Sequence, residues 1–148
     1  VTLFYNIFVP PGEKPAQERA HDIIREQLTM IGESPAATQL PKQRGASTVL
    51  YYNAVGSNET VDQVLQDECE QLDFTCIRMQ HYTSAFEEVT LVQLQEFCAV
   101  NPHHRVTYLH NKGSYHDSEQ NTKWRRSMTW SIVSPQCLNP PNETCNVC

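Results

Sequence analysis

The sequence predicts a layered α/β domain: a mostly parallel sheet of about four strands joined by crossover helices. Three observations carry this. Short apolar runs and helix-periodic stripes alternate four times along the 148 residues. Each apolar run is separated from the next by enough chain for a helix, which parallel strands need and antiparallel hairpins do not. Hydrophobic residues are 39% and charged residues 19% of the chain, enough apolar material for one core and one domain.

Val1 to Val9 (VTLFYNIFV) is broken only by Thr2 and Asn6 and ends at Pro10-Pro11-Gly12, as suits a strand buried on both faces. From Pro15 the period changes. Ala16, Ala20, Ile23, Ile24, Leu28 and Ile31 fall three and four apart and make one helical stripe, with Pro15 in the first turn and Gly32 at the stop. Glu33 to Ser47 has no period and reads as a long loop. Thr48 to Tyr52 is the second strand, stopped by Asn53 and Gly56. Thr60-Val61-Asp62-Gln63 fits a capping box, and Val61, Val64, Leu65, Cys69 and Leu72 form the stripe behind it. Thr75 to Met79 is a third strand. Ser84-Ala85-Phe86-Glu87 is a second capping box, followed by Phe86, Val89, Leu94, Phe97 and Cys98 on a third helix. Arg105 to His110 is the fourth strand, stopped by Lys112-Gly113. Asp117 to Val133 is a more polar helix carrying Trp124, Met128, Trp130 and Ile132. The expected domain is 1–134, with a Cys/Pro/Asn-rich tail over 135–148.

Lys+Arg number 11 against Asp+Glu 17, a net charge of −6. An acidic chain without a Lys/Arg run is a poor nucleic-acid binder, because neutralising phosphates supplies most of that affinity. No apolar run approaches the roughly 18 residues of a membrane span. The six cysteines are an even count, and two sequons, at Asn58 and Asn142, stand beside them as glycan acceptors. Together they point to a secretory or extracellular compartment. Cys69 and Cys76 bracket the turn from second helix to third strand and are the favoured bridge. Cys137 would pair with Cys145 or Cys148. Cys145-x-x-Cys148 also has the spacing of half a structural zinc site, the second choice. The chain opens on Val1 and stops on Cys148, which reads as a piece of a longer protein or a processed chain.

In open parallel sheets, ligands bind beyond the carboxyl ends of the strands. The loop His110-Asn111-Lys112-Gly113-Ser114-Tyr115-His116 leaves the fourth strand there and precedes a helix. Lys112 brings a point charge, Gly113 lets the backbone come close to a ligand, and the helix N-terminus adds partial positive charge. These suit a phosphate or diphosphate. A polar turn that happens to contain Lys-Gly is the plainer alternative.

Tyr108-Leu109-His110-Asn111-Lys112-Gly113, followed by Trp124-Arg125-Arg126-Ser127-Met128, resembles a glycosyltransferase-like family with an apolar strand ending in His-x-Lys-Gly and then a helix with Trp-Arg-x-x-Met. Leu50 to Gly56 is similar to that family's second strand and turn. The resemblance implies a Rossmann-like, GT-A-like nucleotide-sugar domain, or its donor-binding half, in a Golgi or bacterial-envelope setting; with the cysteines and sequons the expected location is the Golgi lumen or outside the cell. It places Asn53, His110, Lys112 and Gly113 around the donor, and implies Mn2+ or Mg2+ as the metal. The family's Asp-x-Asp-like pair has its nearest counterpart in Asp117-x-Glu119; a negatively charged helix start explains those two acids equally. Trp124 and Trp130, six apart, do not share a helix face, so at least one belongs in the core. Arg125 and Arg126 suit either an anion clamp or a solvated helix face.

Two functions follow. One is a glycosyltransferase, or its donor-binding part, moving a sugar from a nucleotide-sugar to a glycan or protein acceptor. The other is a non-catalytic extracellular module of the same fold, acting in a homo- or hetero-assembly or in glycan binding.

Overall fold

The computed structural model describes residues 2–34, 48–58 and 60–138. The long loop over 35–47 and the tail over 139–148, with Asn142, Cys145 and Cys148, lie outside the described residues. Strand and helix alternate as β1 (Thr2–Val9), α1 (Lys14–Gly32), β2 (Thr48–Gly56), α2 (Val61–Leu72), β3 (Phe74–Tyr82), α3 (Glu88–Val100), β4 (Val106–His110), α4 (Glu119–Ile132) and the short α5 (Pro135–Leu138). The fold is α/β with a four-stranded, all-parallel sheet in the order β3-β2-β1-β4. The first two crossovers step one way from β1 and the third jumps back past it. The strand order therefore reverses between β1 and β4, the switch point at which such sheets open a crevice.

Side chains on successive strand residues point to opposite faces, so each strand feeds two layers. On one face Leu3, Tyr5, Ile7, Val9, Leu50, Tyr52, Ala54 and Leu109 pack with Ala20, Ile24, Leu28 and Ile31 of α1 and Val61, Val64 and Leu65 of α2. The opposite face is covered by α3 and is held differently. Phe4 stacks on Tyr51 at 5.3 Å between ring centroids, and Phe97 closes the group at 5.4 and 5.7 Å. Beside it runs a buried polar chain. The Asn53 amide donates to Thr90 Oγ1 (2.9 Å) and Gln93 Oε1 (2.6 Å), and the Thr90 hydroxyl donates to Asn6 Oδ1 (2.8 Å).

Several local expectations need correcting. Helix α3 starts at Glu88 with Glu87 at its N-cap, so the box at Ser84 caps nothing, and Phe86 is 83% exposed rather than part of the stripe. Thr90 is the buried residue of α3, because the helix docks through hydrogen bonds and one ring cluster rather than an aliphatic stripe. Thr60 is the N-cap of α2, but its hydroxyl meets His21 Nε2 at 2.7 Å instead of a backbone N–H. Both tryptophans, Trp124 at 53% and Trp130 at 56%, are exposed. No helix among the described residues is long and apolar enough to cross a membrane.

The Cys69–Cys76 disulfide is present, joining α2 to β3 across Cα atoms 6.2 Å apart. Asp73 makes the turn between them by adopting φ 56°, and its N–H closes the helix onto the carbonyls of Cys69 and Glu70. Cys137 is also disulfide-bonded, while Cys98 carries a free thiol. Because β3 is the sheet edge and is held on one side only, the 69–76 bridge should carry much of its stability. Replacing both cysteines by alanine should lower the unfolding free energy by about 2 kcal/mol, the closed-loop value for so short a ring. Urea titration of the oxidised protein and the variant measures this; coincident curves would contradict it.

Candidate functional site

The register of the sheet creates the site. Strand β1 pairs with β2 over its whole length, from Thr2 opposite Val49 to Val9 opposite Gly56. Against β4 it pairs only as far as Asn6 opposite His110. The last residues of β1 are therefore left without a strand on that side, and unpaired buried backbone groups are costly. Asn111 fills the step. Its side-chain carbonyl accepts from Phe8 N–H at 2.8 Å and its amide donates to the Phe8 carbonyl at 2.7 Å, so one side chain continues the ladder by two hydrogen bonds.

The rest of the loop is anchored as firmly. Gln27 on α1 donates to the His110 carbonyl (3.2 Å) and to Thr129 Oγ1 (2.9 Å), and it accepts from the Tyr5 hydroxyl (2.7 Å). Arg125 on α4 donates to the Lys112 carbonyl at 2.9 Å. The same guanidinium grips Glu26 Oε2 through Nε (2.9 Å) and Nη2 (2.6 Å), and Arg126 holds the other carboxylate oxygen. Gly113 follows with φ +94°, and an added Cβ would stand 3.0 Å from Arg125 Nη1. Only glycine meets both demands without strain. Arg125 is thus neither an anion clamp nor part of a solvated face. It is a buried strut under the loop.

Above this scaffold lies a cleft of about 360 Å3. His110, Lys112 and Gly113 line it as expected, together with Asn6 and Phe8 of β1, Phe86 and Glu87 before α3, Tyr115, and Asn121 in the first turn of α4. Ser118 caps α4, its hydroxyl accepting from the Asn121 N–H at 3.1 Å, so the helix presents its N-terminal end beside the cleft. Lys112 has no carboxylate ion pair among the described residues. His110 Nε2 stands 3.7 Å from Glu87 Oε1. Burial pushes the His110 imidazole below its ordinary value; the Glu87 carboxylate opposes the shift and the Lys112 ammonium adds to it.

Asn53 does not line the cleft. It is fully buried, with its amide committed to α3, because a polar group under the helix must find partners. Asp117 and Glu119 stand outside the cleft lining, exposed, and face cations: Asp117 lies 4.0 Å from Arg19 and Glu119 lies 2.6 Å from Lys123. They do not fit a Mn2+ or Mg2+ ion beside a diphosphate, and no cluster of three His, Cys, Asp or Glu side chains forms among the described residues. Asn58 is half-buried just past β2.

Sequence reasoning missed Asn111, Gln27, Glu26 and Glu87. Gln27 had a signal, since it is a polar residue falling within the α1 stripe between Ile24 and Ile31. Asn111 and Glu87 had none, because their roles depend on where two strands end relative to each other.

A family model described as a domain of unknown function, DUF8361, matches residues 4–148. The chain belongs to the DUF8361 family. Neither a curated protein nor a solved structure matches it. The match runs through every element that builds the cleft, so the loop, its strut and α4 are parts of the DUF8361 domain itself.

Burial pushes the Glu26 carboxyl up, but the hydrogen bonds and charges of Arg125 and Arg126 outweigh it and the net shift is down. A carboxyl lowered on folding stabilises the protein fully above its unfolded value, near pH 4–5, and loses that contribution as pH falls through the folded value. Arg125→Leu should cost about 3 kcal/mol at pH 7, as expected when one partner of a largely buried pair is removed. It should also flatten the acid limb of the stability curve. Urea titrations at neutral and acid pH test both; an Arg125→Leu curve parallel to wild type at every pH would contradict the strut.

Proposed function

We propose that the DUF8361 domain binds a nucleotide-sugar at the β1/β4 switch point and is the donor-binding part of a glycosyltransferase. The observation that carries this reading is the His110–Gly113 loop. Its backbone is fixed by Gln27, Asn111 and Arg125, and it brings Lys112, which has no carboxylate ion pair among the described residues, to a cleft at the carboxyl edge of a parallel sheet that Glu87 also lines. In an acidic domain, a lysine without an ion-pair partner makes this edge more favourable to an anion than the surrounding surface, with Glu87 acting against it. The α4 N-terminus on the same side supplies further partial positive charge. The resemblance of His-x-Lys-Gly and Trp-Arg-x-x-Met to a glycosyltransferase-like family supplies the substrate class, and the bridges at Cys69–Cys76 and Cys137 agree with a secretory setting.

In this reading the diphosphate lies against Lys112 and the loop, with Tyr115 and Phe8 forming an aromatic wall; their rings sit 5.9 Å apart, edge to face. As the bond between the anomeric carbon and the diphosphate oxygen breaks, its electron pair stays on the diphosphate, while an acceptor hydroxyl oxygen bonds to the anomeric carbon and releases its proton to solvent. Lys112 stabilises the negative charge that develops there. No step is assigned to Asp117 or Glu119. Their positions favour a second reading, a non-catalytic glycan- or nucleotide-binding module of the same fold.

Isothermal titration with nucleoside diphosphates and nucleotide-sugars tests the proposal. Lys112→Ala should weaken binding by about 1–3 kcal/mol, the range for a hydrogen bond to a charged group, without changing thermal stability. Binding without turnover to any acceptor would favour the module; no binding, or equal binding by the variant, would remove the donor site.

A further inference from the structure

Helix α4 is inside out. Its buried residues are Arg125 and Thr129, both polar, while Trp124, Met128 and Trp130 are 53%, 42% and 56% exposed. An amphipathic helix normally turns its apolar side to the core. Here the core side is spent on Arg125 beneath the Lys112 loop and on Thr129, which holds Gln27. That explains the polar residues within, but not the aromatic and thioether side chains outside.

Trp124 and Met128 stand one helical turn apart and so share a face. With Ser127 they form one wall of a second cleft, of about 540 Å3, whose other walls are Glu87, His110 and Lys112. Those last three residues also line the first cleft, so the two clefts meet along the ridge at the end of β4. The volume lies within the roughly 300–1,000 Å3 of small-molecule sites. The lining is two-sided, with a flat indole, a thioether and the Ser127 hydroxyl on one wall and a carboxylate, an imidazole and an ammonium on the other.

A pyranose ring has the complementary chemistry. One face is a patch of C–H groups that lies flat on an indole, and its edge is a row of hydroxyls that need donors and acceptors. A purely apolar ligand would strip water from Glu87 and Lys112 without replacing it, and an anion alone would gain nothing from Trp124. We infer that the second cleft binds a sugar ring of a glycan acceptor, stacked on Trp124 with its hydroxyls toward Ser127 and Glu87. The acceptor role rests on the donor reading of the adjoining cleft; sugar binding at Trp124 does not.

Saturation-transfer NMR on the full chain tests this, using a panel of methyl glycosides and disaccharides of glucose, galactose, mannose, xylose, fucose and N-acetylglucosamine. At least one sugar should show saturable binding, with the strongest transfer to the protons of one ring face. Trp124→Ala should weaken it about tenfold or more, as for loss of a central aromatic contact. Trp124→Phe should keep part of it, and Trp130→Ala should leave it unchanged. Trp124 is exposed, so an unaltered melting curve for Trp124→Ala separates loss of contact from loss of fold. No binding by any sugar in the panel, or equal binding by Trp124→Ala, would overturn the inference. Titration of the same samples with a nucleoside diphosphate separates the two sites. Retained nucleotide binding without sugar binding sinks the sugar site alone, and Trp124-dependent sugar binding without nucleotide binding sinks the donor site alone.

Discussion

A buried guanidinium holds the carboxyl edge of the sheet in place. Arg125 reaches from α4 to Glu26 on α1 and to the Lys112 carbonyl, and it crowds the position where a side chain at residue 113 would begin. Removing an Arg side chain from water is costly unless each N–H is used. Here three nitrogens have acceptors, two on a carboxylate and one on the loop, so the group that most needs partners fixes the segment that carries Lys112. The glycine at 113, the acid at 26 and the polar interior of α4 all follow from seating this one side chain.

The same economy explains the uneven surface. The α1/α2 face is mainly aliphatic, with the Tyr5 and Tyr52 hydroxyls satisfied by Gln27 and Asp62. The α3 face is held by a ring cluster and the Asn53–Thr90–Asn6 chain, which leaves Leu91, Val92 and Val100 of α3 partly or largely in solvent. The β1/β4 step, bridged by Asn111, leaves a gap at the switch point that is hollow because no backbone fills it. Site and scaffold are therefore one construction. Lys112 commits its backbone carbonyl to Arg125, while its ammonium has no carboxylate ion pair among the described residues.

Much of this was legible in the sequence. The alternation of apolar runs with three-and-four-spaced stripes gave all four strands and their helices: burial on both faces leaves β1 and β2 runs of Val, Ile, Leu, Tyr and Phe, whereas β3, which has no buried residue, shows only a short mixed run. His110, Lys112 and Gly113 were readable as one loop because they follow directly where the run Val106 to Leu109 stops. Asn53 was misplaced because its position at the end of a strand suits a pocket and a buried polar anchor equally, and only the arrival of Thr90 and Gln93 from 37 and 40 residues away decides between them. Asn111 escaped notice because its role is set by a difference in length between β1 and β4. Arg125 was read as a clamp or a solvated residue, not as a buried strut, because an Arg-Arg pair on a polar helix carries no sign of which member turns inward.

The central claim is that residues 110–121, on a scaffold fixed before any ligand arrives, form the anion-binding edge of the domain. Backbone amide shifts of the isotopically labelled full chain, followed by NMR during titration with a nucleoside diphosphate, test it most directly. The account predicts saturable shifts confined to the end of β1, the residues just before α3, and the loop and first turn of α4, with no movement in α2 or β3. Shifts centred on α2 and β3, or no saturable shift at the β4 loop, would contradict it.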